Sequence, residues 1–355
     1  MNGFAKAEGQ VAPVAEAVPT AKRNRIALVL QGGGALGAYQ AGIYQAMHEH
    51  DFLPDWVVGT SIGAINAALI VGNPPAQRLE RLRAFWDLVS RPGMADMRST
   101  SDSVRRSLSW AATLETMTRG VAGFFSPRLF SGFAAGLPVA PEHASFYDTG
   151  PLVATLKRLI DFDYLNGDDK MRLTVNALKV ANGELVRFDS ACQVIGVEHI
   201  MASGALPPGL PPVRVEGELY WDGGLYSNTP IETILDDHAP TDTLCFMVDL
   251  WRADGPEPTT LDEVQTRAKD VVYASRSKRH IDNYRQAHTL RCMVRKLYDA
   301  LPERSRREMG NEVREALGVE STLHIVRLVY PGHDWHMSAK DINFSEGSIE
   351  WRWEQ

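Results

Sequence analysis

Two short apolar segments, each running into a tight turn and then into a helix, constrain this chain more than any other feature. Arg25-Ile-Ala-Leu-Val-Leu30 is β-leaning and ends in Gly32-Gly33-Gly34, and Ala38 to His48 behind it reads as a helix. Trp56-Val-Val-Gly59 is the second such segment; Ser61 follows it at once, and Ile62 to Val71 reads as an apolar helix. Short continuous apolar runs are strands covered on both faces. Strand, loop and helix repeated twice within about fifty residues build a parallel sheet with crossover helices. The expected fold class is α/β, a mostly parallel sheet with flanking helices.

The rest of the chain extends this pattern. Pro75 to Val89 reads as a surface helix, with Leu79, Leu82, Phe85, Trp86 and Val89 at helical spacing. Residues 91–148 read as an insertion or cap. Leu152 to Ile160 reads as a helix, and Leu173 to Ala177 as a strand that pairs with Leu185 to Phe188 across the hairpin signal Asn182-Gly183. A short helix is expected over 197–206, then an irregular stretch forced by Pro207, Pro208, Pro211 and Pro212. Leu219-Tyr220-Trp221 leads into Asp222-Gly223-Gly224. Thr243 to Leu250 and His324 to Tyr330 read as strands, Leu261 to Tyr298 as long helix, and Ile342 onward as a terminal helix. The expected division is a disordered tail over 1–24, a main domain over 26–236, and an extension of strand and helices over 237–355.

With 355 residues, 44% hydrophobic and 23% charged, a sizeable core is available. A net charge of -7 gives no support to nucleic-acid binding. Cys192, Cys245 and Cys292 are far apart and form no CxxC pair, which fits a reducing compartment. Neither a secretory pattern nor a membrane-length apolar run occurs, so a soluble cytoplasmic protein is expected, with peripheral membrane contact left open. No metal cluster, calcium loop or P-loop is found, and no cofactor is expected.

Three motifs carry chemistry. Gly59-Thr60-Ser61-Ile62-Gly63 is a G-x-S-x-G, the pattern of a sharp strand-to-helix turn that exposes a serine Oγ. The helix behind it aims its N-terminal dipole at the serine. Its bland alternative is a structural turn. Gly32-Gly33-Gly34-Ala35-Leu36-Gly37 follows a buried strand and presents uncovered backbone N–H groups. Such a nest suits the oxyanion of an acyl-transfer intermediate or the pyrophosphate of a dinucleotide, or it is a plain tight turn. A dinucleotide site wants an acid just after the second strand, where this chain has Ser61. The third motif, Asp222-Gly223-Gly224, puts a carboxylate at a strand end beside two glycines, or forms an ordinary β-turn.

The trio, in this order, resembles the patatin-like phospholipase family over about residues 26–236. The segment Ala202-Ser-Gly-Ala-Leu-Pro207 and the proline-rich stretch to Val213 resemble the part of the family that precedes the D-G-G. The resemblance implies a Ser–Asp dyad in which Ser61 attacks an ester carbonyl and Asp222 takes its proton. It also implies an oxyanion hole made by the N–H groups of Gly32, Gly33 and Gly34, with Gly37, Gly59, Gly63, Gly223 and Gly224 as motif glycines. Many members carry Arg or Lys where this chain has Leu36. The region after about 237 resembles an extension found on some bacterial members.

The expected activity is hydrolysis of a phospholipid, lysophospholipid or neutral acyl ester through an acyl-Ser61 intermediate. Acyl transfer or thioester hydrolysis with the same dyad, and a catalytically weak lipid-binding protein, stand as alternatives. A Ser–His–Asp triad would draw on His238, His280, His288, His324, His333 or His336, which all follow Asp222. Two stretches are candidates for transient membrane contact. The aromatic cluster Phe124, Phe125, Leu129, Phe130 and Phe133 is expected to cap an acyl pocket. The basic segment around Arg276, Lys278 and Arg279 is expected to orient the protein on anionic lipid or to be a solvated helix face.

Overall fold

The computed structural model describes residues 24–91, 102–128, 136–168, 170–237, 241–274, 277–309, 313, 321–332 and 339–355. The tail over 1–23, and Leu129, Phe130, Phe133, His238, Arg276, His333 and His336, lie outside them.

The strands are β1 (Arg25–Leu30), β2 (Trp56–Gly59), β3 (Ser126–Pro127), β4 (Tyr147–Asp148), β5 (Arg172–Lys179), β6 (Leu185–Asp189), β7 (Val213–Val215), β8 (Glu218–Asp222), β9 (Thr243–Asp249) and β10 (Leu323–Val329). The helices are α1 (Ala38–Glu49), α2 (Ile62–Val71), α3 (Arg78–Val89), α4 (Asp102–Arg119), α5 (Gly150–Leu159), α6 (Phe162–Leu165), α7 (Val197–Ser203), α8 (Ile231–Leu235), α9 (Leu261–Tyr273), α10 (Ser277–Asp299), α11 (Glu303–Glu308) and α12 (Glu346–Glu354).

The main sheet has the order β10-β9-β1-β2-β5-β8-β7, with β6 on the other edge of β5. From β10 through to β5 every pairing is parallel. The pairings of β6 and β8 with β5, and of β7 with β8, are antiparallel. The hairpin between β5 and β6 turns through Gly183 at φ 72°. Strands β9 and β10 come from the C-terminal third of the chain, yet β9 pairs along the whole length of β1 and continues the same sheet.

Strand β1 shows why the sheet must be covered twice. Ile26, Leu28 and Leu30 point into one core with α1, α2, α3 and α12, while Ala27 and Val29 point into a second core with Trp56, Ile231 and Met247. Alternate side chains leave a strand on opposite faces, so a wholly apolar strand needs a layer on each side. In α2 all ten residues are buried, as a helix between the sheet and an outer layer requires.

The register on β5 positions the site. Strand β2 ends with Gly59 opposite Val175, and β8 ends with Asp222 opposite Ala177. Strand β6 pairs with both of these β5 residues, so β2 and β8 share the other edge. They run in opposite directions and meet end to end beside Asn176. Whatever follows Gly59 is therefore delivered next to Asp222.

Candidate active site

Ser61 caps α2 with φ 58° and ψ -126°. A non-glycine residue at positive φ outside the helical region is strained, and such strain persists only where the surroundings impose it. The restraints are visible. The Ser61 N–H donates to both the carbonyl and the Oγ of buried Ser203, each at 3.1 Å. The turn is also too tight for side chains on either side. A Cβ on Gly63 would stand 2.3 Å from the carbonyl oxygen of Leu30, and one on Gly59 would stand 2.3 Å from that of Gly63.

Asp222 is buried at the end of β8. The Gly224 N–H donates to its Oδ1 at 2.7 Å, and the Ser61 hydroxyl lies near enough to favour its ionised form. Burial pushes the Asp222 carboxyl up to about 7, against the pull of the Ser61 hydroxyl and the Gly224 N–H. Gly223 lies against the Asn176 carbonyl, which seats the turn on β5.

The glycine run departs from the expected picture at two positions. The Gly32 N–H donates to the Asn228 carbonyl at 3.0 Å, so it is committed within the fold and does not face the cavity as a spare donor. Gly33 and Gly34 remain as available backbone donors, the latter in the left-handed region at φ 54°. Leu36 is fully buried in the core and does not line the cavity. Gly37 packs on Ile62, and its carbonyl accepts from Asn66 Nδ2 at 2.9 Å.

Ser61 and Asp222 open into a cavity of about 470 Å³. Its apolar lining includes Phe124, Phe125, Leu152, Ile200, Leu210 and Phe344. Phe124 and Phe125 are thus wall residues of the cavity and part of the core, not an exposed cluster. Asn228, Trp251, Tyr273, Lys269 and Asp341 also line it, the last two joined as an ion pair at 2.7 Å. Among the described residues no histidine lines this cavity. His280 borders a separate groove, His288 stacks on Tyr284, and His324 is exposed on β10.

Several positioning groups are not legible in sequence. Asn228 Nδ2 donates to the carbonyls of Gly32 at 3.1 Å and Tyr273 at 2.9 Å, and Trp251 Nε1 donates to the Gly32 carbonyl at 2.8 Å. Gln31 Nε2 holds the Tyr273 carbonyl at 3.0 Å, while its Oε1 accepts from the Trp251 N–H at 3.0 Å. These contacts tie the glycine loop to residues far away in sequence, which no local pattern encodes. Among the described residues no group of three His, Cys, Asp or Glu side chains is placed to hold a metal ion. Nor is any helix among them long and apolar enough to cross a membrane.

A mostly parallel sheet with a strained serine at the end of one strand, beside a buried carboxylate at the end of another, places the chain among the α/β proteins. The chain belongs to the patatin-like phospholipase family, whose model matches residues 28–235, more than half of its length. A second model, described as patatin phospholipase, matches residues 271–355. Patatin-like phospholipase domain-containing protein 6 of Mus musculus is 28% identical over 212 residues, which make up 59% of this chain and 12% of that protein. Neuropathy target esterase sws of Drosophila melanogaster is 26% identical over 212 residues, again 59% and 12%. The chain therefore spans only a small part of the length of these relatives. The crystal structure of VipD from Legionella pneumophila aligns over 93% of this chain and 67% of that one, at 15% identity and a TM-score of 0.36.

Proposed function

We propose that this protein hydrolyses carboxylic esters of lipids through an acyl-Ser61 intermediate, with Asp222 as the base and no histidine in the catalytic pair. The observation that carries the reading is that Ser61, just after the end of β2, stands beside the buried Asp222 at the end of β8, where burial pushes the carboxyl up to about 7. An ordinary carboxylate near pKa 4 is poorly matched to a serine hydroxyl, and burial narrows that gap.

Ser61 Oγ attacks the ester carbonyl carbon as its proton passes to Asp222. The tetrahedral oxyanion is met by the free N–H groups of Gly33 and Gly34 and by the N-terminal dipole of α2. Collapse breaks the carbon–oxygen bond to the alcohol, which leaves with the proton from Asp222. Water then gives a proton to Asp222 and attacks the acyl-serine carbonyl. Ser61 Oγ departs with that proton, and the fatty acid is released. The apolar lining holds the acyl chain.

Incubation with a fluorophosphonate probe followed by peptide mapping tests the assignment. Label on the peptide containing Ser61, absent in Ser61→Ala, is the expected result. Label elsewhere with an unmodified Ser61 would remove this serine from the chemistry.

A further inference from the structure

Helix α4 carries Trp110, Leu114 and Met117 at i, i+4 and i+7, which sets them on one face. They are 52%, 60% and 51% exposed, while Ala112, Thr113 and Thr116 are buried. Helix α4 is thus already seated, and the stripe is an outer surface. Ser107, Ala111 and Thr118 on its flank add no charge. The stretch 136–141, Gly-Leu-Pro-Val-Ala-Pro, which precedes Phe146 and Tyr147 in the chain, is exposed and uncharged, with Leu137 and Val139 open to solvent. Tyr147 Oη donates to the Met117 carbonyl at 2.9 Å and ties α4 to the end of this loop.

The patch does not stop at the surface. Met117 and exposed Phe146 both line the cavity that holds Ser61. The apolar exterior therefore continues into the apolar wall on which an acyl chain would lie. Single exposed apolar residues are ordinary, whereas a contiguous set leading into a cavity marks a docking surface.

We propose that Trp110, Leu114, Leu137 and Val139, continuous with Met117 and Phe146, form the surface that docks on lipid and lets an acyl chain pass from the aggregate into the cavity. This rests on the lipid-ester reading of the site. Among the side chains described from Ser107 to Thr118 no cation lies on this face, so insertion of apolar side chains drives binding and charge attraction does not. Binding to zwitterionic vesicles should therefore persist at high salt. Docking through the basic start of α10 at Lys278 and Arg279 makes the opposite prediction.

The test uses the full chain and two variants, Trp110→Ser/Leu114→Ser and Lys278→Gln/Arg279→Gln. Vesicles of phosphatidylcholine, with and without phosphatidylglycerol, are co-sedimented at low and high salt. Hydrolysis is followed on vesicles and on a soluble p-nitrophenyl ester. The expected result is that the α4 variant loses vesicle binding and vesicle hydrolysis by about tenfold, keeps soluble-ester hydrolysis, and that the α10 variant behaves as wild type. Wild-type binding by the α4 variant overturns the proposal, as does binding that needs phosphatidylglycerol and Lys278 and Arg279. A dimer in sedimentation velocity that the α4 substitutions dissociate, without vesicle binding, would assign the face to a second copy and also overturn it. Absence of soluble-ester hydrolysis in the wild type would sink the catalytic reading, while the binding arm would still decide the docking face.

Discussion

Ser61 reaches the Asp222 carboxylate from a left-handed backbone conformation, φ 58° and ψ -126°, that Ser203 and the flanking glycines hold in place. The strain and the contact belong together, since a relaxed turn after β2 would carry the hydroxyl away from β8. Replacing Ser61 by Ala should abolish ester hydrolysis with the fold intact. Asp222→Asn should cost nearly as much, about 10³-fold or more in kcat, because the pair acts as a unit. Hydrolysis of p-nitrophenyl acyl esters, with circular dichroism as the control for folding, measures both. Wild-type rates in either variant would end the proposed mechanism.

The raised pKa of Asp222 sets a pH dependence. The base must be ionised, so kcat/KM should rise with pH, bend near pH 7 and level off above it. A bend near pH 4 would mean that Asp222 is not desolvated in the working enzyme.

Stability should move in the opposite sense. The folded-state pKa is raised above the ordinary carboxylate value, so the folded protein holds the proton more tightly than the unfolded chain. The contribution is fully present below about pH 4 and is lost as pH rises through about 7. Asp222→Asn removes this charge-burial cost. Its melting temperature relative to wild type should therefore increase between pH 5 and pH 8 while activity is gone. A difference independent of pH would contradict the assignment.

Histidine should be dispensable. His280, His288 and His324 lie away from the cavity, so Gln at any of them should leave acylation of Ser61 by a fluorophosphonate intact. The same is expected of His238, His333 and His336. A single folded histidine variant as inactive as Ser61→Ala would point to a triad.

The terminal helix should be needed for the packing of α1. A Cβ on Gly42 would stand 2.0 Å from the carbonyl oxygen of Trp353 in α12. Gly42→Ala should therefore destabilise the protein by about 1–3 kcal/mol, although alanine is the better helix former. Chemical denaturation measures this, and a more stable variant would show that α12 can retreat at little cost.

Much of this molecule is written in local patterns. The apolar runs of β1 and β2, the Asn182-Gly183 turn, the G-x-S-x-G elbow and the glycines after Asp222 follow from period, turn chemistry and backbone sterics, which act over a few residues. Those rules were enough to single out Ser61 and Asp222 as candidates. They could not bring the two together, because that depends on β2 and β8 meeting end to end on one edge of β5. Nor could they place β9 against β1, bury Leu36 in the core, or occupy the Gly32 N–H with the Asn228 carbonyl. The aromatic pair Phe124 and Phe125 and the stripe on α4 show the same limit. Both read as apolar in sequence, yet one pair is buried in a cavity wall and the other set faces outward. Side-chain chemistry and period are properties of the chain itself. Strand order, the partner of each N–H and the side of a helix that meets water depend on contacts between distant segments, and only the folded structure decides them.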